Sequence, residues 1–122
     1  MAGNFFRSLK PNAIVAFTGD LGAGKTSFIK GMLASQLAEE EIQSPTFVYL
    51  NVYPCTPIVY HFDLYRLKSA EEFLSMGFDE YFEKEGICLL EWADRIKDIL
   101  PPHTQYVHLE GTGNNPRKIW IK

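Results

Sequence analysis

Eight consecutive residues constrain this chain more than any other feature: Gly19-Asp20-Leu21-Gly22-Ala23-Gly24-Lys25-Thr26. They fit G-x-x-x-x-G-K-[ST], the pattern of a phosphate-binding loop, and their surroundings suit that reading. Ala13-Ile14-Val15-Ala16-Phe17 precedes them as a short apolar run that predicts a buried strand. Ser27 to Leu37 follows with apolar residues at helical spacing. Glycines allow backbone N–H groups to converge on phosphate oxygens, and a helix N-terminus adds positive partial charge. In such a loop the lysine, here Lys25, reaches the β- and γ-phosphates, and the hydroxyl, here of Thr26, faces magnesium. The competing reading is a Gly-rich turn that binds nothing. The full pattern, with a strand before it and a helix after it, favours a nucleoside triphosphate.

The chain has 122 residues, 46% of them hydrophobic and 22% charged, which predicts a single domain over 1–122 with a real core. No apolar run approaches the ~20 residues needed to cross a bilayer, and the N-terminus lacks a signal-peptide layout. The two cysteines, Cys55 and Cys88, have neither metal spacing nor a disulfide framework. Together these features predict a cytoplasmic protein without a membrane role. Net charge is −3 and the pI about 5.6, so the basic footprint of an independent nucleic-acid binder is missing. Any RNA is therefore expected to be held mostly by another subunit.

The order of elements read along the chain is strand, phosphate loop, helix, two strands, helices, strand, helix and a final hairpin. Thr46–Tyr53 and Ile58–Leu64 predict strands around the turn Pro54-Cys55-Thr56-Pro57. Ser69-Ala70-Glu71-Glu72 has the capping-box pattern and opens a short helix that Gly77 is placed to end. Ile87-Cys88-Leu89-Leu90, ending at Glu91, reads as a central parallel strand. Ala93 to Leu100 predicts a helix stopped by Pro101-Pro102. Tyr106–Leu109 and Lys118–Ile121 flank a turn-rich hairpin loop at Gly111–Asn115. The sum is an α/β, P-loop NTPase-like three-layer fold, a mixed sheet with a parallel centre and antiparallel hairpins.

Hydrolysis at such a loop needs carboxylates to hold the metal and place water. Glu91 and Asp63 each stand at a strand end. Alternation puts Tyr60, Phe62 and Leu64 on one face of their strand and His61, Asp63 and Tyr65 on the other. Ser44-Pro45-Thr46 either contacts the γ-phosphate or is a plain turn, and Trp92 either packs on the nucleotide or closes the core. The histidines have no metal-ligand spacing, and only His61 falls near this region.

Taken in order, the loop at 19–26, Ser44-Pro45-Thr46, His61-Phe62-Asp63-Leu64-Tyr65-Arg66 and Leu90-Glu91-Trp92 resemble the motifs of the bacterial TsaE (YjeE) ATPases. The resemblance covers residues 15 to 92. It implies a role in forming N6-threonylcarbamoyladenosine at position 37 of tRNAs that read codons beginning with A. It also implies weak ATP binding alone and work on the TsaB–TsaD heterodimer, which transfers the group supplied by TsaC. On this chain the family pattern has Gly22, Ala23, Gly24, Lys25, Thr26 and Ser27 cradling the phosphates of ATP. Thr26 and Glu91 would hold Mg2+, and Asp63 would act on the attacking or metal-bound water. Ser44 and Thr46 would sense the γ-phosphate, Trp92 would support the site, and Arg117 would approach the base or ribose. The isolated protein is expected to be a monomer. Family members usually carry some twenty-odd more residues before the first strand, so that extension is expected to be shortened or absent here. Two other readings compete: a nucleotide-gated binding module with little turnover, and a small-molecule kinase. The kinase reading is the weaker, because Arg66, Arg95 and Arg117 are scattered and form no lid.

Overall fold

The computed structural model describes residues 2–18, 22–34, 36–37, 49–112 and 115–121, with side chains described over 5–18, 28–34, 36–37 and 49–109. Its centre is β1 (Ile14–Thr18), four of whose five residues are buried. The chain continues into α2 (Gly22–Leu33), an antiparallel pair β2 (Leu50–Tyr53) and β3 (Val59–Asp63), and α3 (Ala70–Ser75). A 3₁₀ helix (Phe78–Glu83), β4 (Ile87–Glu91), a second 3₁₀ helix (Ala93–Ile99), β5 (Gln105–Thr112) and β6 (Asn115–Ile121) complete it. These strands form one six-stranded sheet in the order β2-β3-β4-β1-β5-β6. The inner pairings are parallel, and an antiparallel pair closes each edge.

Period-two alternation in buried strands sends successive residues into two cores. Val15, Phe17, Val59, Ile87, Leu89, Val107 and Leu109 face α1 (Ala2–Ser8) and α2. Ile14, Ala16, Tyr60, Phe62, Cys88 and Leu90 face α3 and the 3₁₀ helices. The result is three layers. Among the described residues, no helix is long and apolar enough to cross a membrane.

Local chemistry explains several boundaries. Ser69 Oγ accepts from the Glu72 N–H at 3.2 Å, while Glu72 Oε1 accepts from the Lys68 N–H at 2.9 Å. The capping box thus closes one residue further upstream than its usual form. Gly77 takes φ +74°, the left-handed geometry that ends a helix at no side-chain cost. At the foot of β4, a Cβ on Gly86 would lie 2.7 Å from the Ile58 carbonyl oxygen and 2.5 Å from the Tyr60 ring. Only a hydrogen fits between β3 and β4 there.

Four expectations need correcting. Ala2–Ser8 forms α1, an element absent from the order read along the sequence; its glycine and asparagine are poor helix formers, but Phe6 is buried and Phe5 packs on Phe28 at 6.3 Å between ring centroids. The helix expected over Ala93–Leu100 is 3₁₀ and kinked at Ile96 (φ −128°). Ala93, Ile96 and Ile99 pack inward at a spacing of three, the 3₁₀ period. β2 begins at Leu50 after left-handed Tyr49 (φ +61°), later than Thr46, and residues 46–48 lie outside the described set. The final strands run further than expected, with a register shift at Glu110/Gly111, leaving 113–114 between them outside the described residues.

Candidate functional site

β1 ends at Thr18 and α2 starts at Gly22, so the backbone supplies the strand before the pattern and the helix N-terminus within it that a phosphate-binding loop requires. Gly22, Ala23 and Gly24 form the first turn of α2, with Lys25, Thr26 and Ser27 directly after. Residues 19–21 and the side chains of Lys25, Thr26 and Ser27 lie outside the described set.

The two proposed acids converge beside that start. In the parallel ladders, Glu91 pairs with Phe17 on one side and with Asp63 on the other. Both acids share the parity of Leu89, which faces α2, so they point to the layer holding α2. Glu91 is buried at 2% exposure. Burying a carboxylate is costly unless it is paired and hydrogen-bonded, and here His61 Nε2 lies 2.7 Å from Glu91 Oε2. His61 has no exposed surface, and its Nδ1 lies 3.2 Å from the Tyr53 hydroxyl. Asp63 is half-buried, and its Oδ1 accepts from the Tyr65 N–H at 3.0 Å in a tight Asx turn. Asp63 thereby fixes the chain's exit from β3.

Trp92 adopts a left-handed conformation (φ +59°) directly after Glu91. That turns its ring onto the core around α3, where it meets the exposed Tyr65 ring at 4.9 Å. Arg95 Nη2 donates to the Tyr65 carbonyl at 3.4 Å. On the far side of β1, the Thr18 hydroxyl and His108 Nδ1 share a 2.7 Å hydrogen bond. Arg117 lies on β6, an edge strand separated from β4 by β5 and β1. Ser44 and Thr46 fall outside the described residues. The sequence puts His61 with Asp63 and Tyr65 on one polar face suited to a site wall but gives it no partner, and it gives Tyr53 no role. The convergence of His61 and Tyr53 on Glu91 depends on strand register, which periodicity does not reveal.

A family model described as threonylcarbamoyl adenosine biosynthesis protein TsaE matches residues 1–119. This chain belongs to the TsaE family. The match runs well past the stretch of quoted motifs and takes in α1 and most of β6. A Treponema pallidum protein named tRNA threonylcarbamoyladenosine biosynthesis protein TsaE is 38% identical over 115 residues, 94% of this chain and 85% of that protein. A TsaE of the same name from Rickettsia conorii is 45% identical over 113 residues, covering 91% of this chain and 64% of the relative. A crystal structure of Bacillus subtilis YdiB superposes with a TM-score of 0.72 at 33% identity, covering 97% of this chain and 72% of that one. The α/β fold is therefore the one found in YdiB.

Proposed function

We propose that this TsaE-family protein binds ATP with Mg2+ and hydrolyses it in support of N6-threonylcarbamoyladenosine formation at position 37 of tRNAs reading codons that begin with A. It acts in the cytoplasm on the TsaB–TsaD heterodimer and meets tRNA only through that complex. The observation that best supports this reading is the placement of Glu91 and Asp63 as register neighbours beside the strand that leads into the phosphate-loop helix.

The donor set suits magnesium. Glu91 offers carboxylate oxygen and Thr26 a hydroxyl, the hard ligands that Mg2+ prefers, while the His61 nitrogen is turned toward the carboxylate. When bound, the metal neutralises charge on the β- and γ-phosphates. Backbone N–H groups from Gly22 to Ser27 bind and orient the phosphates, and Lys25 adds the cation. Asp63 orients the attacking water. Ser44 and Thr46 sense the γ-phosphate, Trp92 buttresses the end of β4, and Arg117 serves the base or ribose.

A second reading, a nucleotide-gated binding module with little turnover, draws on one observation: an Asp63 oxygen is engaged in the Asx turn with Tyr65. Turnover measured with and without TsaB–TsaD separates the two, alongside co-purification under ATP, ADP and no nucleotide. Partner-stimulated hydrolysis supports the first reading. Nucleotide-dependent co-purification without stimulated turnover supports the second. Absence of Mg2+-dependent ATP binding overturns both.

A further inference from the structure

The geometry points to His61 as a positioning residue for Glu91, with Tyr53 fixing the imidazole in turn. This rests on reading Glu91 as the magnesium-side carboxylate. Three neighbouring strands supply one residue each. Tyr53 on β2 stands opposite Val59, and Glu91 on β4 stands opposite Asp63, so both are diagonal neighbours of His61 on β3. Diagonal positions share a face and lie within reach of long side chains. The row closes as a chain of hydrogen bonds from the Tyr53 hydroxyl to His61 Nδ1 at 3.2 Å, and from Nε2 to Glu91 Oε2 at 2.7 Å.

A neutral imidazole and an ionised carboxylate fit that row with the ring proton on the Glu91 side. Tyr53 donates to Nδ1, which makes Nδ1 the acceptor and puts the ring N–H at Nε2, where it donates to Glu91. A carboxylate held this way on one oxygen loses its freedom to rotate about its terminal bond, so its orientation toward the helix layer is set before any ligand arrives. The ring is itself immobile: His61 is fully buried and its centroid lies 5.8 Å from that of Tyr53. Outer partners of this kind orient metal-ligating groups, and their loss commonly lowers metal affinity about 10- to 100-fold. The plain alternative is a core histidine satisfied by whatever polar neighbours it has. That role needs volume and any hydrogen bond, whereas positioning needs a donor at Nε2 in particular.

Two substitutions separate these roles. In His61→Gln the side-chain amide reaches the place of Nε2 and can still donate to Glu91. In His61→Asn it reaches only the place of Nδ1, so the hydrogen bond to Glu91 is lost. The measurement is ADP affinity by calorimetry across a Mg2+ titration and in EDTA, so no turnover is needed, with thermal melts to confirm folding. The proposal expects His61→Asn to weaken Mg2+-dependent affinity about tenfold or more and His61→Gln to stay within about threefold of wild type. Both should bind ADP in EDTA as wild type does. Tyr53→Phe, which removes only a hydroxyl, should weaken the Mg2+-dependent part by about two- to fivefold and guards against a misfolded His61 variant. Equal Mg2+ dependence in the Gln and Asn variants, or a wild-type Mg2+ profile in Tyr53→Phe, overturns the proposal. Glu91→Gln serves as the reference. If it loses Mg2+ dependence while the His61 variants keep theirs, positioning fails and the metal role of Glu91 stands. If it keeps Mg2+ dependence, both fail.

Discussion

Replacing Gly86 with alanine tests how tightly the ladder between β3 and β4 is closed. The new Cβ would stand 2.5 Å from Tyr60 Cε2, 2.6 Å from Ile58 Cγ2 and 2.7 Å from the Ile58 carbonyl oxygen. The two side-chain atoms can rotate away. The carbonyl cannot, because it accepts the 2.8 Å hydrogen bond from the Ile87 N–H that opens the ladder. Nor can Gly86 retreat easily, since its own carbonyl accepts from the Asn12 N–H at 3.0 Å. Overpacking of this kind costs about 1–3 kcal/mol, and loosening the Ile58–Ile87 bond adds about 1 kcal/mol. The stiffer unfolded chain returns about 0.4–1 kcal/mol. The net loss is about 2 kcal/mol, a large share of a typical stability of about 5–15 kcal/mol. For a chain of this size that lowers Tm by roughly 6–10 °C and the urea midpoint by about 1 M. Gly77→Ala is the comparator: its Cβ has room, with Glu80 Oε2 nearest at 3.5 Å, but φ +74° strains any L side chain by about 1–2 kcal/mol. A urea midpoint for Gly86→Ala equal to or above wild type would refute the argument that the strand foot admits only hydrogen.

Other outcomes follow from the same structure. Lys25→Ala should weaken ATP binding at least tenfold, about 1.4 kcal/mol, by calorimetry. Asp63→Asn should leave ATP affinity nearly intact and depress turnover with TsaB–TsaD, because an Asn side-chain oxygen can still accept from the Tyr65 N–H and hold the turn. Burial pushes the Cys88 thiol up to about 12, and its Sγ donates to the Tyr81 carbonyl at 3.4 Å. It should therefore resist alkylation at pH 8 in the folded protein, and because the unfolded thiol ionises first, stability should fall as pH climbs from about 9 toward 12. Glu80 and Glu83 are exposed on the first 3₁₀ helix. Reversing both to lysine should slow association with TsaB–TsaD at low salt while leaving ATP binding unchanged, read from association rates across a salt series.

What the sequence made legible was whatever local chemistry decides. β4 was readable because a short unbroken apolar run is the pattern of a strand buried on both faces, and four residues are too few for a helix. The capping box at Ser69 and the left-handed Gly77 were readable because each is a rule about one or two residues. α1 was not, because Phe5 and Phe6 gain a helix only through tertiary packing against α2, and propensity argues against it. The site divides the same way. Glu91 and Asp63 announce themselves as acids at strand ends, and the strands bring them side by side. The coupling of Tyr53 and His61 to Glu91 depends on a register across three strands, which no window of local sequence contains.

The central strand has a kinetic consequence. Ile14 pairs with Cys88, and Val15 with Gln105, so both edges of β1 wait for partners from the far end of the chain. Loops of that length must close before their contacts return any energy, which makes parallel pairing slow to form. The residues that match the phosphate-loop pattern are thus synthesised early, before β1 has either neighbour. Nucleotide affinity should appear late in refolding, rising together with burial of β1, and a chain released from the ribosome before β5 has emerged would expose one unpaired edge of the apolar β1 to aggregation.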